Sequence, residues 1–185
     1  MSFDRDKHHR RSIRLSGFDY SSPGAYFVTL CAYDRERIFG AVAGGEVRLS
    51  DYGRVAREEW LRSATVRPEI ELDAFVIMPN HIHGVVIITG HRRDDKRGSG
   101  KGRVCVGAQG LAPLHRPPRS LGSFVAGFKM AVTKRVNTAR GRAGARVGQR
   151  NYYERVVRDD GELALARWYI RENPARWPED DYYRP

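Results

Sequence analysis

Apolar positions along the chain recur either every second residue or every third to fourth, and these two periods mark out its elements. Ala25 to Ala32 is rich in β-branched and aromatic residues and predicts a strand. Ile38–Val42 and Glu46–Leu49 flank Ala43-Gly44-Gly45 and predict a hairpin. Ser50 is placed to cap a helix through Val55, Ala56, Trp60 and Leu61, whose spacing gives one apolar face. Ile70–Met78, closed by the turn pair Pro79-Asn80, and His81–Ile88 predict an antiparallel pair in the centre of a sheet. Ser120 opens a helix on which Leu121, Phe124, Val125, Phe128, Val132 and Val136 form one buried stripe. Tyr152–Val157 predicts a short edge strand. Asp159-Asp160-Gly161-Glu162 has a capping-box pattern, and the helix it starts runs to about Asn173, where Pro174 stops it.

Alternation of strands and helices with mostly hairpin links predicts an α+β fold, an antiparallel sheet with helices on one or both faces. A chain of 185 residues suits a single domain. We divide it into a basic N-terminal arm (1–20), one domain (21–178) and a C-terminal tail (179–185). Within the domain, 90–118 and 138–148 are Gly- and Arg-rich and aperiodic, and are expected to be flexible basic loops. The longest apolar runs, such as Gly84–Ile88, are far too short for a membrane span, and Met1–Lys7 offers no apolar core for a secretory signal. Cys31 and Cys105 stand far apart without metal-ligand spacing. A cytoplasmic protein with no membrane partner is the expectation.

Charge sharpens the picture. The formal balance is +11, and from Lys96 to Tyr153 there are 13 Lys and Arg with no Asp or Glu, leaving about −2 for the rest. A positive field segregated in this way suits a polyanion, and nucleic acid is the favoured one. Arg10, Arg11 and Arg14 of the arm, with Lys129, Arg140, Arg142, Arg146 and Arg150, are the candidate nucleic-acid contacts.

Two segments carry possible chemistry. In Pro79-Asn80-His81-Ile82-His83-Gly84, strand alternation sends His81 and His83 to the same face, about 7 Å apart, while Ile82 and Val86 point oppositely into the core. Two imidazoles on a rigid strand make a pair of metal ligands, although such pairs are more commonly strand histidines satisfied by water or a carboxylate. On the last helix, Tyr169 and Asn173 are four apart and share a face. A tyrosine between Trp168 and Ile170 also reads as a core residue, and Asn before Pro as a helix terminator. Tyr152, Tyr153, Tyr182 and Tyr183 read as packing or surface groups, the last two at a frayed terminus.

Several separated segments, taken in order, resemble the REP-associated tyrosine transposases, relatives of the single-tyrosine HUH transposases of bacterial insertion sequences. They are Tyr26-Phe27-Val28-Thr29, Arg37-Ile38-Phe39-Gly40, Met78-Pro79-Asn80-His81-Ile82-His83, the helix around Phe128-Lys129, Gln149-Arg150-Asn151-Tyr152-Tyr153-Glu154 and Tyr169-Ile170-Arg171-Glu172-Asn173-Pro174. The resemblance implies a ferredoxin-like or RRM-like antiparallel sheet flanked by helices. It further implies His81 and His83 as paired metal ligands, Asn173 completing the site, Mg²⁺ or Mn²⁺ as the ion, and Tyr169 as a catalytic nucleophile. The implied substrate is single-stranded hairpin DNA with REP-like palindromes, cut through a 5′-phosphotyrosine by a monomer or homodimer. The alternative is a non-catalytic, sequence-specific DNA-binding protein derived from a transposase.

Overall fold

The computed structural model describes residues 18–90 and 118–184, so Arg10, Arg11, Arg14 and nearly all of the 90–118 segment lie outside the described residues. The elements are β1 (Gly24–Cys31), β2 (Gly40–Ala43), β3 (Glu46–Leu49), α1 (Asp51–Val66), β4 (Ile70–Ile77), β5 (His81–Ile88), α2 (Leu121–Ala139), β6 (Tyr153–Val157) and α3 (Asp160–Glu172). Four strands form one antiparallel sheet in the order β4-β5-β1-β6, and β2 and β3 pair separately. With α1 between β1 and β4 and α2 between β5 and β6, this is the ferredoxin-like arrangement expected, a single α+β domain.

Local chemistry sets the boundaries. Gly44 and Gly45 turn the β2–β3 hairpin with φ of +62° and +78°, the left-handed pair that a two-residue hairpin turn requires. The Ser50, Ser120 and Asp159 side chains cap the three helices by accepting from Gly53, Ser123 and Glu162 N–H groups. Glu162 reaches back to accept from the Arg158 N–H at 3.0 Å, one residue earlier than a capping box would place it.

The sheet has two working faces. Tyr26, Val28 and Leu30 on β1 lie across from Val86, Gly84 and Ile82 on β5, and this face packs against α1 and α2. The whole predicted α2 stripe is buried there. On α1, Ala56 and Trp60 are buried and Val55 partly so, but Leu61 is 45% exposed. The buried line of α1 runs through Gly53, Ala56, Trp60 and Ser63, and Leu61, one step past it, turns to solvent. The other face of β1 and β5 presents Phe27, Thr29, His81 and His83, and α3 covers it from the side of β4 and β5. Arg167 of α3 donates two hydrogen bonds to Asp73 (2.9 and 2.6 Å), which stands at the register shift between Leu72 and Phe75 on β4. That pair fixes α3 against the sheet edge.

The 138–148 segment is tied into the fold. Asn137 donates to the Ala145 carbonyl at 2.9 Å, and Val147 accepts from the Tyr33 N–H at 2.8 Å. Among the described residues no helix is long and apolar enough to cross a membrane.

Candidate metal and nucleophile site

Strand alternation delivers both imidazoles to the α3 face, and both are buried (His81 0%, His83 1% exposed). Each ring is oriented through Nδ1. His83 Nδ1 is 2.8 Å from Thr29 Oγ1, its cross-strand neighbour. His81 Nδ1 is 2.8 Å from Asn80 Oδ1, and Asn80 is itself held because its Nδ2 donates to the Tyr182 carbonyl at 2.8 Å. With the Asn80 oxygen as acceptor, His81 carries its proton on Nδ1 and points the Nε2 lone pair inward.

The inward nitrogens meet a carboxylate from the segment expected to be a C-terminal tail. Asp180 Oδ2 lies 4.0 Å from His81 Nε2 and 3.8 Å from His83 Nε2, and its side chain is fully buried. It accepts from Asn173 Nδ2 at 2.6 Å and from the Tyr169 hydroxyl at 3.3 Å, while Oδ1 accepts from the Tyr182 N–H at 2.6 Å. The Tyr169 hydroxyl is also 3.4 Å from His83 Nε2. The structure therefore gathers Tyr169, His81, His83 and Asn173 in one place, as expected, and adds Asp180. Asn173 is buried at the end of α3 with its amide nitrogen on Asp180.

Electrostatics follow from burial. Desolvation, reinforced by the neighbouring His83, lowers the pKa of His81 despite the opposing pull of Asp180. Desolvation likewise lowers that of His83, so both rings are neutral at pH 7. Burial alone would raise the Asp180 pKa, but the nearby His83 ring and the Asn173 and Tyr182 N–H donors outweigh it and hold the carboxyl ionised, well below its usual range. Burial first, then the Asp180 charge, pushes the Tyr169 phenol above its usual value.

These groups fit a divalent ion. His81, His83 and Asp180 each offer a ligand atom within 4.8 Å of the others. The separations of 3.8 and 4.0 Å from Asp180 to the imidazoles lie within the ~4.2 Å span of two ~2.1 Å metal–ligand bonds. His81 Nε2 and Asn173 Oδ1 are buried with no hydrogen-bond partner among the described residues, and a cation would satisfy such acceptors.

Asp180 follows Pro174, Trp177 and Pro178, where no periodicity signals a site. Its position depends on the tail folding back. Trp177 and Tyr182 pack on His81 with ring centroids at 5.8 and 4.8 Å, and Arg35 lies 5.1 Å from the Tyr182 ring. Thr29 and Phe27 are legible in the sequence only as strand residues. Phe27 stacks on His83 at 5.4 Å and meets the Tyr169 ring at 6.0 Å.

The candidate DNA contacts divide. Lys129 donates to the Gln149 and Asn151 carbonyls at 2.8 and 2.9 Å, and so ties α2 to the segment before β6. Arg140 bonds Asn137 Oδ1 at 2.9 Å, and Arg146 lies over the Tyr33 ring at 5.4 Å. Arg142 and Arg150 are exposed. The segment bearing them runs beside the end of β1, where Gln149 N–H donates to the Cys31 carbonyl and Cys31 pairs with His81.

The fold and the site together define a ferredoxin-like domain in which a His-hydrophobe-His strand meets a helical tyrosine on one face of the sheet. A REP-associated tyrosine transposase bound to a REP hairpin shares this fold, with a TM-score of 0.53 and 15% identity over 89% of this chain and 74% of that one. A candidate transposase from Deinococcus radiodurans R1 superposes with a TM-score of 0.44 and 14% identity, over 87% of this chain and 98% of that one. No family model matches the chain. An uncharacterized protein of Haemophilus influenzae is 36% identical over 177 residues, spanning 95% of this chain and 94% of its own length. The chain belongs to one family with that protein.

Proposed function

We propose that the protein is a REP-associated tyrosine transposase, a metal-dependent enzyme that cuts and rejoins single-stranded hairpin DNA through a 5′-phosphotyrosine at Tyr169. The observation that carries this reading is the approach of the Tyr169 hydroxyl to His83 Nε2 (3.4 Å) and Asp180 Oδ2 (3.3 Å), beside a second buried imidazole. The sequence resemblance and the shared fold point the same way, and the REP hairpin held by the structural neighbour makes a hairpin strand the substrate to test.

His81, His83 and Asp180 would hold the ion, with the Asn173 amide oxygen as a further donor. Mg²⁺ or Mn²⁺ suits this mixed nitrogen and oxygen set. When bound, the ion would neutralise charge on the scissile phosphate and help to orient it. The remaining work falls to the chain. A phenol near pKa 10 is only about 0.1% ionised at pH 7, and burial leaves Tyr169 less so. Tyr169 therefore attacks as a neutral hydroxyl and gives up its proton to solvent water as the bond to phosphorus forms, while the ionised Asp180 orients the hydroxyl by accepting from it at 3.3 Å. The new bond joins the Tyr169 oxygen to phosphorus, and the bond to the 3′ oxygen breaks. That oxygen takes a proton from water to leave as a 3′ hydroxyl, and its return attack reverses the step. The arginine-bearing segment beside β1 would carry the strand by its phosphates.

The test is cleavage of a labelled REP-type hairpin oligonucleotide. We expect strand cutting with Mn²⁺ or Mg²⁺, none with EDTA, and none by Tyr169→Phe. Metal-independent binding without cutting would leave the non-catalytic DNA-binding reading in its place.

A further inference from the structure

A cavity of about 450 Å³ opens beside Tyr169 on the β6 side and is lined among others by Phe27, Tyr153, Arg155, Leu165 and Trp168. Its volume is within the range of small-ligand sites, ~300–1,000 Å³. Its lining is unusual for a surface. Eight large hydrophobic residues are exposed among the described residues, and three of them, Tyr153 (38%), Leu165 (58%) and Trp168 (42%), gather here. Phe27 joins this cavity to the site already described, with its ring 6.5 Å from Tyr153 and 5.4 Å from His83. Arg155 stands at the same cavity, oriented by Glu162 at 2.8 Å with its side chain 55% exposed. Glu162 and Asp181 also line the cavity, so its charged groups do not favour an anion inside it. Exposed aromatic faces next to a group that attacks a phosphodiester match an unpaired base, with its phosphates left outside the cavity.

Building on the nuclease reading, we propose that this cavity holds one unpaired nucleobase of the DNA strand, stacked on Trp168 and Tyr153, next to the phosphate that Tyr169 attacks. Stacking would splay the strand at that nucleotide and fix the register in which the phosphate meets the hydroxyl. Trp168 and Tyr153 would then act as positioning residues, since neither touches the reacting atoms.

The test separates binding from cutting. With the full chain in EDTA, affinity is measured for an oligothymidylate and for an abasic oligomer of equal length and charge. Trp60 and Trp177 are buried, which leaves Trp168 as the accessible indole among the described residues, so its emission reports on the cavity. We expect the oligothymidylate to bind about tenfold more tightly than the abasic strand and to quench the indole. Trp168→Ala and Tyr153→Ala should each lose most of that preference with abasic affinity unchanged, and Trp168→Phe should keep it. Circular dichroism on each variant checks that it is folded. Equal affinity for the two oligomers, or a preference that survives both alanine variants, overturns the base site. Adduct formation with Mn²⁺ is followed in parallel. An adduct without base preference would sink this cavity's role alone, whereas base preference without an adduct would keep the base site and sink the nuclease reading.

Discussion

Gly84 sits where the two faces of the sheet are reconciled, and replacing it by alanine tests how tightly the histidine strand is locked to the core. A Cβ at Gly84 would run into Trp60 Cζ2 and lie 2.9 Å from Cη2, where ordinary carbon contacts are ~3.5–4.0 Å. Trp60 has nowhere to retreat. It is completely buried, with Phe128, Phe124 and Phe75 rings centred 5.2, 5.5 and 5.9 Å away. Overpacking of this kind costs ~1–3 kcal/mol, and the rigid surroundings put Gly84→Ala near about 3. Trp60→Phe empties the space the new methyl needs. It gives up some aromatic packing, but it also removes the Trp60 Nε1–H, which is buried without a partner among the described residues. We expect Trp60→Phe alone to cost about 1–2 kcal/mol and the double variant about 2–3, a favourable coupling of about 2. Urea denaturation of the four proteins, followed by circular dichroism, measures it. Costs that add within ~0.5 kcal/mol would refute the contact.

Further expectations concern pH, the tail and the basic segment. Burial lowers both histidine pKa values in the folded protein, so the stability they confer is complete above the unfolded value near 6.5 and falls as pH drops below it. With two protons taken up on unfolding, the slope reaches at most ~2.7 kcal/mol per pH unit. Asp180 and Asp73, whose pKa values are lowered, add their own loss only below about pH 4. Metal-free protein with flat stability from pH 7 to 5 would contradict this. Asp180→Ala should weaken Mn²⁺ binding by at least the ~10–100-fold that losing a ligand's hydrogen-bond partner costs, read by calorimetry, and unchanged affinity would remove Asp180 from the ligand set. Changing Arg140, Arg142 and Arg146 together to Gln should weaken single-strand binding. Its log–log salt slope should flatten by up to ~0.7 for each phosphate no longer neutralised. An unaltered salt slope would make them a solvated loop.

The fold is largely readable in the sequence because period-two and period-four patterns report which face is buried, and the capping residues Ser50, Ser120 and Asp159 mark where helices begin. Strand parity puts His81 with His83, and a four-residue helical step puts Tyr169 with Asn173, but that the two pairs share a site is implied only by the family resemblance. Leu61 misleads because its spacing from Trp60 fits a broad apolar face, whereas the space between α1 and the sheet admits only the narrower line through Gly53, Ala56 and Trp60. Asp180 is not readable. Its place is set by tertiary contacts of Trp177, Tyr182 and Arg35, and none of these leaves a local pattern. The partners of the histidines, Thr29 and Asn80, depend on cross-strand register and on the tail carbonyl in the same way.

Two tyrosines stand close to the paired imidazoles, Tyr169 by its hydroxyl and Tyr182 by its ring. Peptide mapping of the protein–DNA adduct formed with Mn²⁺ decides between them most directly. We expect the nucleotide on the peptide containing Tyr169, joined through a 5′ phosphate. An adduct on Tyr182 or Tyr153, or strand cutting that leaves no covalent adduct, would contradict the assignment of Tyr169 as nucleophile.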